Sequence, residues 1–128
     1  MDKIYKDKKT GLYYRPSRGE LFVIKEQNQY DSLKVDNLVV MDVGANIGSF
    51  TSRVLQRGAK EVYCYEPHPE TFKLLELNVN PNIPTYLYNV ALMPKKGIIT
   101  LFTGRYPAAN SVIPSRTKTN TVEVEPLS

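Results

Sequence analysis

Residues 38 to 55 read as a strand that reverses sharply into a helix, and no other stretch narrows the fold as far. Leu38-Val39-Val40-Met41 is a short β-branched-rich run suited to a buried parallel strand, and Ile47, Phe50, Val54 and Leu55 recur behind it at helical spacing. Between them stands Asp42-Val43-Gly44-Ala45-Asn46-Ile47-Gly48. Glycines at 44 and 48 let the backbone turn tightly and let a ligand approach it, while the first amides of the following helix point toward that ligand. The turn is therefore a candidate cofactor cradle in an α/β fold.

The residues around the glycines narrow the choice of cofactor. A dinucleotide fold uses G-x-G-x-x-G against a pyrophosphate and a P-loop uses G-K-[ST]; this turn has neither, and no lysine stands in it. Further along, Val62-Tyr63-Cys64-Tyr65 reads as a second strand and ends in Glu66-Pro67. A carboxylate at the C-terminal end of the neighbouring strand can accept both hydroxyls of a ribose. A nucleoside held without phosphate recognition points to S-adenosyl-L-methionine.

Four motifs occur in order: Val39-Val40-Met41-Asp42-Val43-Gly44-Ala45-Asn46-Ile47-Gly48-Ser49-Phe50; Tyr65-Glu66-Pro67-His68-Pro69-Glu70; Leu75-Glu76-Leu77-Asn78-Val79-Asn80; and Asn89-Val90-Ala91-Leu92 with Gly97 and Leu101 beyond it. In this series the sequence resembles the FkbM-type S-adenosylmethionine-dependent methyltransferases, from roughly residue 20 to the end. The resemblance implies a Rossmann-like class I methyltransferase sheet. It also implies methyl transfer to a hydroxyl oxygen of a sugar, polyketide or other small molecule. It places Asn89, at the end of a third strand, where the family recognises adenine. The family continues into further strands, one with a lysine-aspartate-glutamate-glycine type motif that residues up to Ser128 do not contain. The expectation is an arm over residues 1 to 37, then the cofactor-binding half of a methyltransferase domain over 38 to 128, inactive on its own.

The arm reads as hairpin-like: Gly11-Leu12-Tyr13-Tyr14-Arg15, a Pro16-Ser17-Arg18-Gly19 turn, then Leu21-Phe22-Val23-Ile24 as a returning strand. Residues 38 to 92 alternate strand and helix, which argues a parallel sheet with right-handed crossovers. Gly58 stands where a left-handed cap should end the first helix, and Pro69 where a proline suits the start of the second. Phe72, Leu75 and Val79 form the inward stripe of that second helix, and Asn80-Pro81 ends it. Thr85 to Val90 is the third strand, and Ile98 to Phe102 reads as an antiparallel excursion. Residues 103 to 120 read as a disordered polar loop before a strand at Thr121 to Glu125.

The candidate cofactor-binding residues are Asp42, Gly44, Ala45, Asn46, Gly48, Glu66, Pro67 and Asn89. Asp42 is placed to meet an ammonium group, and the glycines to let the methionine half lie against the backbone. Each has a plainer reading. Asn46 could cap the helix, Gly48 could allow close packing, Glu66 could favour a helix dipole, and Asn89 could form a turn. His68, the only histidine, suits a cap or a cofactor edge contact better than a general base, and the sequence identifies no catalytic base.

Composition bounds the alternatives. With 128 residues, 41% hydrophobic and 23% charged, the chain has the make-up of one globular domain. The net charge of +4 owes much to Lys3, Lys6, Lys8 and Lys9 in a fraying terminus, so a nucleic-acid patch is the lesser reading. A single cysteine excludes an intrachain disulfide and a cysteine-rich metal site. No apolar run has the length of a membrane span and the start lacks a signal-peptide core, so the expectation is a cytoplasmic protein without membrane contact. The second function class is a non-catalytic assembly module, with copies associating through exposed strand edges and Val122-Glu123-Val124 pairing with the Leu38-to-Val43 edge. A third is a nucleic-acid methyltransferase, for which Asn80-Pro81-Asn82-Ile83-Pro84 has the wrong residue order.

Overall fold

A computed structural model of the chain describes residues 2–79, 84–93, 97–102 and 119–126. At its centre three strands, β3 (Val39–Val43), β4 (Glu61–Tyr65) and β5 (Thr85–Tyr88), form a parallel sheet in the order β3-β4-β5. Val40 lies opposite Val62 and Asp42 opposite Cys64, with Cys64 opposite Leu87, which fixes one face of the sheet. Helices α2 (Ser49–Gln56) and α3 (Pro69–Asn78) supply the crossovers and cover that face. Val54 and Leu55 of α2, Leu75 of α3 and Val79 just beyond it pack there with Val62 and Cys64 into the main core. This is the α/β architecture with a parallel sheet that the alternating pattern implies.

The opposite face is bare among the described residues. Val39, Met41 and Val43 are 59, 58 and 55% exposed, so β3 is buried on one side only, contrary to the expectation of a fully buried strand. Tyr63 stacks on Tyr86 and Tyr65 on Tyr88 along the same face, at 4.7 and 5.0 Å between ring centroids. These tyrosines shield one another in the absence of covering helices.

The arm departs from the sequence expectation. Its hairpin pairs β1 (Tyr5–Lys6) with β2 (Tyr13–Tyr14), and residues 21 to 24 are not its second strand. They lie in helix α1 (Glu20–Lys25), followed by a 3-10 stretch over Glu26–Tyr30. Strand propensity in Val23 and Ile24 is overridden by Glu20. This first helical residue is fully buried and accepts hydrogen bonds from the Arg15 backbone amide (2.6 Å) and guanidinium (2.7 and 3.2 Å). Gly19, in the left-handed region, makes the sharp entry.

Arm and sheet meet through Asn78 near the end of α3. Its Oδ1 accepts from the Tyr13 amide at 2.7 Å, and its Nδ2 donates to the carbonyls of Tyr13 (2.9 Å) and Ile47 (2.8 Å). Leu12, Ile24, Ile47 and Leu74 form a second apolar cluster beneath that bridge. Beyond β5, β6 (Ala91–Met93), β7 (Gly97–Phe102) and β8 (Thr119–Pro126) form a second sheet. The antiparallel reading of Ile98 to Phe102 holds, the partner being β8. Because β8 lies between β6 and β7, Val122 and Val124 are paired there and not with β3. The readings of Asn80-Pro81 and of most of the 103 to 120 loop lie outside the described residues.

Candidate functional site

The cradle forms where β3 leaves the sheet. The amides of Gly44 and Ala45 both donate to the Tyr65 carbonyl, at 2.8 and 3.0 Å, which ties the turn to the end of β4. Gly44 has φ +76°, and a Cβ placed on it would meet nothing within 4 Å. That backbone conformation requires glycine, and the space in front of it is open. Asn46 also has positive φ, and the Gly48 amide closes the turn on the Ala45 carbonyl at 3.0 Å.

Two of the plainer readings resolve here. Helix α2 starts at Ser49 with Gly48 as its cap and no capping side chain, so Asn46 is not the N-cap. Gly48 serves close packing: with φ +93°, a Cβ there would sit 2.9 Å from Leu75 Cδ1. The cap assigned to the second helix is present, since the His68 side chain accepts from the Thr71 amide and Pro69 holds the first helical position.

Asp42 is buried at the end of β3. Burial pushes its carboxyl above the ordinary value, opposed by the Thr51 hydroxyl, which donates to Oδ2 at 2.5 Å. Thr51 has one proton, so its 3.2 Å contact with Cys64 Sγ is best served by the thiol donating. Burial raises the Cys64 thiol to about 11 and leaves it a packing residue.

Glu66, also buried, reaches back to the turn. Its Oε1 accepts from the Asn46 amide at 2.8 Å and its Oε2 from the His68 amide at 2.9 Å. Burial pushes this carboxyl up, while the two amides favour its charged form. Asn89 Nδ2 donates to the carbonyls of Glu66 (2.8 Å) and Pro67 (3.0 Å), so it braces the loop after β4. The His68 ring is buried, and burial together with Arg15 and Arg18 lowers its proton affinity; with Nδ1 accepting, it serves as a neutral cap.

An open cavity of about 330 Å³ borders the turn. Asp42, Gly44, Ala45 and Asn46 line it, whereas Gly48, Glu66, Pro67 and Asn89 do not. Its other wall comes from residues the sequence reading missed: Val23, Gln27 and Tyr30 of the arm, with Ser49 and Phe50 of α2. Tyr30 and Phe50 meet edge-to-face, 5.3 Å between centroids. Among the described residues two buried side-chain oxygens lack a hydrogen-bond partner, Gln27 Oε1 and Asn46 Oδ1, and both residues line this cavity.

No family model matches the chain, and no curated protein matches it. Solved structures share parts of its fold. A protein assigned as an S-adenosylmethionine dependent methyltransferase from Listeria monocytogenes is 16% identical over 57% of this chain and 32% of its own, with a TM-score of 0.44. One assigned as an RNA methyltransferase from Pyrococcus horikoshii is 24% identical over 56% of this chain and 42% of its own, at 0.41. The tRNA m1G37 methyltransferase of M. jannaschii is 20% identical over 73% of this chain and 34% of its own, at 0.39. The chain thus spans less than half the length of each. Among the described residues no helix is long and apolar enough to cross a membrane.

Proposed function

We propose that this chain is the cofactor-binding part of an S-adenosyl-L-methionine-dependent methyltransferase of the FkbM type, acting on a hydroxyl of a small molecule or sugar. The observation that carries the reading is the open turn at Gly44. It is flanked by the buried Asp42 carboxylate on one strand and coupled through the Asn46 amide to the Glu66 carboxylate on the next. The residues present fit the group, because open backbone and unpartnered acceptors line the cavity and no lysine or arginine that would suit a phosphate does. Asp42, Gly44, Ala45 and Asn46 would hold the methionine half. Glu66, which lies outside that cavity, would take the ribose hydroxyls, since each of its oxygens accepts one amide and a carboxylate has about four acceptor sites. Pro67 and Asn89 would keep that loop in place.

The cofactor supplies a methyl group already activated on a sulfonium. The chain's task is then positioning, which can lower a barrier by roughly 7–11 kcal/mol when reacting atoms are held in line. No residue need act as a base on the cofactor side.

Calorimetric titration tests the reading. S-adenosylmethionine and S-adenosylhomocysteine are expected to bind, and NAD and ATP are not. Gly44→Val should lose at least about tenfold in affinity, because its side chain occupies the open space and strains the turn. A folded wild-type chain that binds neither sulfur ligand would overturn the assignment and favour an assembly module, and one that prefers NAD or ATP would overturn it in favour of another nucleotide. Methyl transfer to RNA in place of small hydroxyl acceptors would reject the acceptor class alone.

A further inference from the structure

The arm contributes a residue to the cavity that neither the glycine turn nor the strand ends would suggest. Gln27 lies in the 3-10 stretch after α1 and is only 7% exposed. Its Nε2 donates to the Val23 carbonyl at 3.1 Å, which fixes the amide so that Oε1 is the free end. That oxygen is buried without a partner, as is Oδ1 of Asn46, which lines the same cavity. Buried acceptors left unmet are rare in folded proteins, and two in one cavity are better explained by a ligand than by packing. With the Asp42 carboxyl, the residues lining the cavity carry three acceptors, and no side chain with a permanent positive charge is among them.

A lining that carries three acceptors and no cation disfavours a carboxylate or phosphate and suits a group with several N–H donors and a positive charge. A primary ammonium has three donors. We propose that Gln27 is a cofactor-binding residue that, with Asp42 and Asn46, holds the ammonium of the methionine moiety of S-adenosylmethionine. The proposal rests on the cofactor reading above. It makes the arm a wall of the site. It also explains why the Gln27 side chain is buried beside the cavity on a segment otherwise mostly exposed.

Titration with two ligands separates this role from packing. S-adenosylhomocysteine carries the amino-acid end, and 5′-methylthioadenosine has the same nucleoside and thioether without it. Wild type should bind the first more tightly. Gln27→Met keeps the length and removes the acceptor; it should weaken S-adenosylhomocysteine about tenfold or more and leave 5′-methylthioadenosine within about twofold. Gln27→Glu retains an acceptor and should keep or improve binding of S-adenosylhomocysteine, whether or not Gln27→Met folds well. Equal losses for both ligands, no loss, or a wild type indifferent to the amino-acid end would each overturn the role of Gln27. Failure of wild type to bind either ligand would instead remove the cofactor reading beneath it.

Discussion

Replacing Glu20 by alanine should be among the most destabilising single changes in this chain, for reasons that come from burial and not from counting ion pairs. Glu20 is 0% and Arg15 3% exposed, and their charged groups meet at 2.7 Å. The carboxylate also satisfies the Arg15 backbone amide, while the guanidinium donates to Thr71 Oγ1 at 2.8 Å. A surface pair contributes about 0–1 kcal/mol, but removing one partner of a buried pair leaves the other charge without water or counterion and costs about 3–5 kcal/mol. The orphaned Arg15 amide lies at the same site, so its penalty overlaps with that figure and we expect about 4 kcal/mol in all. That is a large share of the roughly 5–15 kcal/mol that holds a domain folded. Urea unfolding followed by circular dichroism measures it, with the m-value checked for constancy. The control is Arg15→Met with Glu20→Leu, which removes both charges and should recover more than half of the loss. A Glu20→Ala cost under about 1 kcal/mol, or a double variant no better than the worse single one, would refute the electrostatic account.

Two further outcomes follow from the same accounting of buried groups. Burial raises the Asp42 carboxyl, so the folded state holds that proton more tightly than the unfolded chain; this group's contribution to stability is greatest below the ordinary value near 3.8 and declines as pH rises through the raised one. Asp42→Asn should therefore gain on wild type in urea unfolding between about pH 4 and pH 7, and a wild type that gains instead would contradict the sign. Gly48→Ala combines a left-handed backbone, about 1–2 kcal/mol, with a Cβ 2.9 Å from the buried Leu75 Cδ1, for a total of about 2–4 kcal/mol; a thermal melt equivalent to less than about 1 kcal/mol would show that the turn relaxes.

The features legible in the sequence are those that depend on backbone demands or on neighbours close in the chain. Gly44, Gly48 and Gly58 all have positive φ, and Pro69 starts its helix, because turn and cap chemistry is local. The parallel pairing of β3, β4 and β5 was readable for a similar reason, as strand and helix periods alternate over residues 38 to 92. Residues 21 to 24 misled because their helical state depends on Arg15 holding Glu20, a side-chain contact that propensity does not register. Asn78 was readable only as part of a motif, although it joins Tyr13 to Ile47. Gln27 had no sequence signal beyond its spacing from Val23, since its significance comes from an oxygen that lacks a partner in three dimensions.

The turn is held from several directions at once. The Asn78 side chain fixes the Ile47 carbonyl, Tyr65 receives two of the turn's amides, and Glu66 receives a third at Asn46. From Glu66 the contacts run through the His68 amide and ring to Thr71, and from Thr71 to the Arg15–Glu20 pair of the arm. A backbone fixed this firmly leaves Asn46 Oδ1 unmet beside the buried Asp42 carboxyl, and Gln27 Oε1 of the arm, from a residue lining the same cavity, is unmet as well. On the proposal above, a cationic ligand would partner these groups together. Its binding should then favour ionised Asp42 and raise stability by about 2.7 kcal/mol at a hundred times its dissociation constant.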